Sequence, residues 1–321
     1  MKIGCFSVLF SDKKIEDVAK ILADLGVEAI ELGAGNYPGN AHCDPAKLLN
    51  DASAQAALKR VLNDHGLEIS ALSCHGNSLH PNPSVAKAHE EVRHQTTLLA
   101  EQMEVDVVVT FSGCPGADED SKAPNWVTCP WPDDYSKILK WQWEERVIPY
   151  WKDEAEFAEK HGVKYAFEMH PGFVVYNPET LLRVRRECGG SVIGANLDPS
   201  HLFWQGMEPV ECVRLLGGDA IFHVHAKDCR VYPPARVNGV LDTKPYGDEV
   251  NRSWIFRTVG YGHDVAWWKD FVSTLRLVGY DGVLSIEHED SLMSVEEGLS
   301  KAVATLKEAV ISKKPGEMFW A

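Results

Sequence analysis

The 321-residue sequence lacks the signatures of several protein classes. Its apolar runs fall well short of the roughly 20 residues that a membrane span requires, so we expect no transmembrane helix. The opening segment, MKIGCFSVLFSDKK, becomes charged too early for a signal peptide, and we therefore predict a cytoplasmic protein. No Gly-rich phosphate fingerprint follows the first predicted strand, which argues against a doubly wound nucleotide-binding sheet.

Paired cysteines and basic surfaces are also scarce. The eight cysteines are scattered without a CxxC pair, which favours reduced thiols in the core and loops over a disulfide or zinc framework. Lys and Arg number 32 against 47 Asp and Glu, for a formal charge of −15. A chain this acidic repels phosphate backbones, so we expect no nucleic-acid partner. The one basic cluster, residues 183–186, lies on a helical pattern and is interpreted as a solvated face.

What the sequence does contain is a regular alternation of strand-like and helical patterns. Strands are predicted at 3–9, 27–32, 67–73, 106–112, 163–168, 192–197, 220–226 and 282–287. Helices are predicted near 15–25, 45–65, 84–104, 135–161, 178–188, 207–216, 264–278 and 294–311. Eight strands, each followed by a helix, predict a single (β/α)8 TIM barrel over residues 1–321. Two long connections, at about 113–134 and 228–263, follow predicted barrel strands on the face where active sites form.

Four ionisable side chains stand where apolar runs end. The last four predicted strands are closed by Glu168, Asp198, His225 and Glu287, in that order. The carboxyl ends of barrel strands open onto one face, so these side chains are expected to converge. Three carboxylates and one imidazole suit a hard divalent cation better than a soft one.

Four segments carry a family resemblance. The motifs FEMHPG (167–172), NLDPSH (196–201), HVHAKD (223–228) and SIEHED (285–290) resemble those of the xylose-isomerase-like TIM barrels called sugar phosphate isomerases/epimerases. The resemblance implies that Glu168, Asp198, His225 and Glu287 bind one divalent metal ion. Manganese is the first expectation, with magnesium, cobalt and zinc as alternatives. His223, which shares the strand side of His225, is expected to pack against or support the ligand.

The same resemblance implies the reaction and the substrate class. The enzyme is expected to isomerise or epimerise a ketose or keto-sugar through an enolate or enediolate. Glu168 and Glu287 are expected to remove and return the proton next to the carbonyl. Similar barrels place sugar-binding groups at the positions of His75 and His201.

Further candidates for substrate binding lie in the long connections. Arg230 and Arg257 could hold a hydroxyl, a carboxylate or a phosphate, since guanidinium groups suit bidentate anion contacts. Trp126 could stack on an apolar sugar face or could simply anchor its loop on the barrel.

His170 supports an alternative function. It has the same side-chain parity as Glu168, so a base could stand next to the metal ion. This arrangement resembles the barrel subunits of C-glycoside deglycosidases, which eliminate the aglycone from 3-oxo-glycosides and pair with a small partner subunit. The prediction is therefore a small-molecule carbohydrate substrate, with a homo-oligomer or a small partner subunit left open. An abasic-site nuclease is disfavoured by the acidic charge, and a barrel without catalysis by the three converging carboxylates.

Overall fold

Eight parallel strands close into a barrel in the computed structural model, which describes residues 1–314, 316–318 and 320. The barrel strands are β1 (Lys2–Phe6), β2 (Ala29–Gly33), β3 (Glu68–Ser73), β4 (Val107–Thr110), β5 (Lys164–Glu168), β6 (Ile193–Leu197), β7 (Ile221–Ala226) and β10 (Val283–Ile286). Their order around the barrel is β1-β10-β7-β6-β5-β4-β3-β2. The predicted (β/α)8 barrel is confirmed.

Helices lie in the connections between the strands, and the longer ones cover the outside of the barrel. They are α1 (Ile15–Leu25), α2 (Pro45–Leu48), α3 (Ala52–Asp64), α4 (Pro83–Met103), α5 (Asp133–Trp141), α6 (Ile148–Lys160), α7 (Pro178–Val184), α8 (Pro199–Trp204), α9 (Pro209–Leu216), α10 (Ala235–Asn238), α11 (Val265–Leu277) and α12 (Val295–Ala309). Their buried stripes pack on the strands, as Val18 and Leu22 of α1 do. Burying each such side chain contributes about 1.5–3 kcal/mol. Among the described residues, no helix is both long and apolar enough to cross a membrane.

Several predicted boundaries differ from the observed ones. The first strand ends at Phe6, because the chain then turns through a 3₁₀ helix at Ser7–Phe10. The predicted helix 45–65 is divided, since the Asp51 side chain accepts from the Ala54 amide and begins α3 anew. A π-helical segment, Gln142–Val147, separates α5 from α6.

The two long connections lie on the same end of the barrel but differ in structure. Residues 113–132 run without helix or strand and are held at their start by Asn77, whose side chain pairs with both backbone groups of Cys114. The connection 228–263 instead contains an antiparallel hairpin of β8 (Asp228–Val231) and β9 (Trp254–Arg257). The buried Asp228 carboxylate accepts backbone amides from the far end of this connection, at Gly260, Gly262 and His263. The second connection is therefore a folded segment at the barrel mouth, whose two ends are held together by Asp228.

Candidate metal centre and its pocket

The four strand-end side chains meet at the mouth of the barrel. Glu168 ends β5, Asp198 follows β6, His225 lies near the end of β7 and Glu287 follows β10. One possible ligand atom from each lies within 4.8 Å of the others. His225 Nδ1 is 3.2 Å from Glu287 Oε2 and 3.4 Å from Glu168 Oε2. The predicted convergence is thus a property of the structure.

Two atoms of this set are buried without a hydrogen-bond partner among the described residues: Asp198 Oδ2 and His225 Nδ1. The other Asp198 oxygen accepts a hydrogen bond from the Ser200 amide at 2.8 Å, so only one of the two carboxylate oxygens is hydrogen-bonded within the protein. Buried polar atoms in folded proteins are normally paired, and an unpaired one is costly. Carboxylate oxygens and an imidazole nitrogen are ligands that divalent cations accept. The residues present therefore fit a divalent metal ion.

Glu31 fixes the orientation of the His225 ring from below. Both Glu31 carboxylate oxygens lie 3.1 Å from His225 Nε2, and Glu31 also accepts from the Ser285 and Ser73 hydroxyls. Because Nε2–H donates to Glu31, Nδ1 is the nitrogen that faces the other carboxylates. Burial opposes it, but the carboxylates of Glu31 and Glu287 raise the pKa of His225 well above its usual value. A bound divalent cation would take the place of the Nδ1 proton.

The pKa values of the three carboxylates are shifted in different directions, although all three groups are buried. Burial raises the pKa of Asp198 to about 8, and the nearby Glu168 and Glu287 charges act in the same direction. The pKa of Glu168 is held well below its usual value because the His201 and His75 imidazoles outweigh burial. The pKa of Glu287 is likewise low, because Lys227 and His225 outweigh burial. Like charges at this spacing repel one another, and a cation relieves that repulsion.

Three predicted histidines surround Glu168. His75 Nε2 lies 2.9 Å from Glu168 Oε2, and His201 Nε2 lies 3.2 Å from Glu168 Oε1. Burial and the neighbouring His170 lower the pKa of His201 to about 3, so it is neutral at neutral pH. His170 Nδ1 donates to the Pro171 carbonyl at 2.6 Å, and its ring centroid is 4.0 Å from that of His201. By contrast, His223 lies deeper in the barrel, with Nδ1 2.9 Å from Asn196 Oδ1.

A cavity of about 650 Å³ opens above the metal-ligand set. Its floor is polar and its walls are largely apolar. The lining residues are Phe6, Val8, Leu9, Tyr37, Pro38, His75, Phe111, Glu168, His170, Lys227, Tyr246, Ile255, Phe256, Glu287, His288, Glu289, Ser291 and Val295. Its size is within the range of about 300–1,000 Å³ typical of small-molecule sites.

Three other predicted substrate-binding residues lie apart from this cavity. Arg230 donates to the Gly262 carbonyl at 2.9 Å and lines a separate surface pocket on the hairpin. The Arg257 guanidinium pairs with Asp290 at 3.1 Å. Trp126 packs edge-on against Tyr176 at 5.5 Å, with its ring partly buried on the core. The structure does not bring these side chains to the metal-ligand set, and their substrate roles stay predictions.

Two residues of the site were not assigned from the sequence. Glu31 is fully buried within β2; the sequence shows it as a polar residue that closes the second predicted strand, 27–32, but assigns it no role. Lys227 is 3% exposed and contacts the carboxylates of Glu287 at 3.2 Å and Glu289 at 2.5 Å. The HVHAKD motif carried a usable signal, since positions 225 and 227 have the same parity in an extended chain.

Comparison with known proteins identifies the family. The family model described as "xylose isomerase-like TIM barrel" matches residues 19–309, and the chain belongs to this family. The resemblance predicted from the four motifs is thereby confirmed. The chain is 39% identical over 315 residues to YfiH of Bacillus subtilis (strain 168), which covers 97% of this chain and 99% of the relative.

Solved structures share the fold at low identity. A D-tagatose 3-epimerase-like protein is 22% identical, with a TM-score of 0.65 over 96% of this chain and 97% of its own. The probable 3-DHS dehydratase AsbF from Bacillus anthracis is 18% identical, with a TM-score of 0.66 over 96% and 99%. The IOLI protein, whose structure contains a zinc atom, is 19% identical, with a TM-score of 0.63 over 97% and 98%. Such likenesses establish the architecture, and the chemistry has to be argued from the residues of this chain.

Proposed function

We propose that this protein is a divalent-metal-dependent sugar isomerase or epimerase that removes a proton next to the carbonyl of a ketose or keto-sugar. The observation that carries the proposal is the convergence of Glu168, Asp198, His225 and Glu287 within 4.8 Å, with two ligand atoms unpaired. Structural neighbours described as a D-tagatose 3-epimerase-like protein and as D-psicose 3-epimerase support the reaction class.

The metal ion would be held by Glu168, Asp198, His225 and Glu287, with manganese first and magnesium, cobalt or zinc as alternatives. When bound, it supplies a positive charge that stabilises the negative charge developing on substrate oxygens. The Glu31–His225 contact prepares the site by holding the imidazole in one orientation.

Glu168 and Glu287 are the proposed pair that removes and returns the proton. They reach the cavity floor from β5 and from the end of β10, so a sugar between them presents a different face to each. Glu168 is held by His75 at 2.9 Å and by the Asn196 amide at 3.3 Å, which limits its movement during proton transfer. A positioned base of this kind contributes about 10²–10⁴-fold to the rate.

His75 is the proposed substrate-binding residue that the geometry supports best, because it lines the cavity directly beside Glu168. His201 lies behind Glu168 and also approaches Asp198 Oδ2 at 3.4 Å. It is not among the cavity-lining residues, so the geometry supports a role in holding the Glu168 carboxylate, and the predicted contact of His201 with the sugar stays a prediction.

A second candidate function is elimination of the aglycone from a 3-oxo-glycoside, with a small partner subunit. It is favoured by His170, which lines the cavity beside Glu168 and adds a base next to the metal-ligand set. A fold neighbour described as a probable 3-DHS dehydratase supports an elimination on this architecture. Both candidate reactions begin with the same proton removal and differ in the fate of the enolate.

The deciding experiment is deuterium incorporation from solvent into a panel of ketoses and 3-oxo-glycosides, with Mn²⁺ or with EDTA. Metal-dependent exchange next to the carbonyl, with the sugar intact, is expected for the isomerase or epimerase. Exchange with release of the aglycone would identify the elimination. Exchange that persists in EDTA would overturn the metal-dependent mechanism.

A further inference from the structure

Lys227 is a buried cation among the carboxylates of the site. The proposed mechanism does not yet give it a role. Its ammonium lies 3.2 Å from Glu287 Oε2, 2.5 Å from Glu289 Oε2 and 3.9 Å from Asp198 Oδ2. It also sits 4.2 Å from the centre of the Phe256 ring, which covers it from the hairpin side. A lysine is rarely buried this deeply unless its charge is paired.

The same side chain lines the cavity. An ammonium has three N–H donors, and the contacts with Glu287 and Glu289 account for two of them. Asp198 Oδ2, at 3.9 Å, is beyond hydrogen-bond reach. One donor therefore remains for a ligand that enters between the Phe256 ring and the metal-ligand set.

We propose that Lys227 is a catalytic residue whose ammonium donates a hydrogen bond to the substrate oxygen that gains negative charge. This inference rests on the proposed function. When Glu168 or Glu287 takes the proton, the C–H electron pair forms the new carbon–carbon double bond and the carbonyl π pair moves onto the oxygen. Lys227 stabilises that oxygen without losing its own proton, and the sequence reverses when the proton returns.

Lys227 also sets the metal affinity, because it places a positive charge against two of the ligand carboxylates. Removing that charge should strengthen metal binding while weakening catalysis. A residue that only supported the fold, or that only held the ligands in place, would lower both. The opposite signs of the two effects therefore distinguish the proposal from a structural role.

The test compares Lys227→Met and Lys227→Arg with Lys269→Met, a matched change at an exposed lysine on α11. Mn²⁺ affinity is measured by isothermal titration calorimetry, and folding is checked by circular dichroism. Lys227→Met is expected to bind Mn²⁺ about tenfold more tightly, since a nearby like charge is gone. At saturating Mn²⁺ its deuterium exchange should fall about 10²-fold or more, mainly in kcat. Lys227→Arg should keep the wild-type Mn²⁺ affinity, and Lys269→Met should keep both properties.

Undiminished exchange in Lys227→Met at saturating Mn²⁺ would overturn the catalytic role. Two results would assign Lys227 to structure instead. One is a parallel loss of Mn²⁺ affinity and exchange in Lys227→Met. The other is a Lys227→Met chain that does not fold, together with a Lys227→Arg chain that has lost Mn²⁺ affinity. A wild-type protein that binds Mn²⁺ but exchanges no sugar of the panel would refute the proposed function, and the catalytic role would fall with it.

Discussion

Among the described residues, four groups of carboxylate and imidazole side chains have the spacing of a metal site, and two of these groups differ in their surroundings. The mouth cluster consists of Glu168, Asp198, His225 and Glu287. Glu90, His94 and Glu154 form a second set within the same distance limit, between α4 and α6. Proximity alone therefore does not separate a functional cluster from a structural one.

The helix cluster, defined as Arg93, His94, Tyr150 and Glu154, pairs its buried carboxylate with a buried guanidinium. Arg93 is 1% exposed and donates to Glu154 at 2.7 Å and to the Tyr150 hydroxyl at 2.6 Å. Its guanidinium also lies 5.0 Å from the centre of the Trp151 ring. His94 approaches the same Glu154 oxygen at 2.9 Å. Glu154 thus already has its cation.

The mouth cluster is not fully paired within the protein. Its Asp198 and Glu287 carboxylates lie 3.9 Å and 3.2 Å from the Lys227 ammonium, and Asp198 Oδ2 and His225 Nδ1 have no hydrogen-bond partner among the described residues. It also forms the floor of a cavity. Unpaired ligand atoms beside a cavity, rather than spacing alone, therefore distinguish the cluster suited to bind a ligand from the cluster that is paired within the fold.

The largest expected effect is a loss of activity when the mouth cluster, but not the helix cluster, is changed. Glu168→Gln should lower metal-dependent deuterium exchange about 10³-fold or more, since it removes both a ligand and a proton acceptor. Its melting temperature without metal should fall modestly, because the amide cannot keep the ionic contacts that the Glu168 carboxylate makes with His75 and His201. Calorimetry and exchange rates measure the two properties. Glu154→Gln is the control and should retain exchange; wild-type exchange in Glu168→Gln would contradict the assignment.

The helix cluster should give the reverse pattern. Arg93→Met leaves the buried Glu154 without its main partner and should lower the free energy of unfolding by about 3–5 kcal/mol in urea titrations. Deuterium exchange by the folded fraction should be unchanged. The double variant Arg93→Met/Glu154→Leu should recover most of the stability, because an apolar pair can replace a buried ion pair. A loss below about 1 kcal/mol in the single variant would show that the pair is weakly coupled.

The sequence was sufficient to predict the barrel and the mouth cluster for the same reason. Strand ends are visible as apolar runs that stop, and the parallel barrel then brings those ends to one face. Asp198 and Glu287 follow their strands directly, so their positions required no knowledge of packing.

Residues fixed by packing could not be read in this way. Lys227 and Glu31 acquire their roles from partners far away in sequence, such as Phe256 and Ser285. The hairpin of β8 and β9 was expected only as a long connection, because its pairing depends on the Asp228 contacts across 32 to 35 positions. Arg230 and Arg257 were singled out by residue type, and the hairpin turns their guanidinium groups towards Gly262 and Asp290 instead of the cavity.

Adding a metal ion should change the stability by an intermediate amount, and this change should depend on the mouth cluster alone. Mn²⁺ at 100 times its dissociation constant should raise the free energy of unfolding by about 2.7 kcal/mol, since only the folded chain assembles the four ligands. Asp198→Asn should lose most of this increment, measured by urea titration with Mn²⁺ or EDTA. Glu154→Gln, although less stable, should gain the full increment. An equal gain in Asp198→Asn would place the bound ion elsewhere.

The smallest expected effect concerns pH and belongs to the helix cluster. Burial opposes it, but His94 and Arg93 lower the pKa of Glu154 from its usual value of 4.5 to about 2. A group with a depressed folded-state pKa stabilises the fold above its unfolded-state value, and that contribution disappears as the pH falls through the folded-state pKa. The stability difference between the wild type and Glu154→Gln should therefore be constant above about pH 5 and shrink by up to about 1.4 kcal/mol per pH unit below it. Urea titrations at pH 6, 5, 4 and 3, all in EDTA, measure this difference. A difference that stayed constant down to pH 3 would mean that Glu154 keeps an ordinary pKa and that Arg93 contributes by packing rather than by charge.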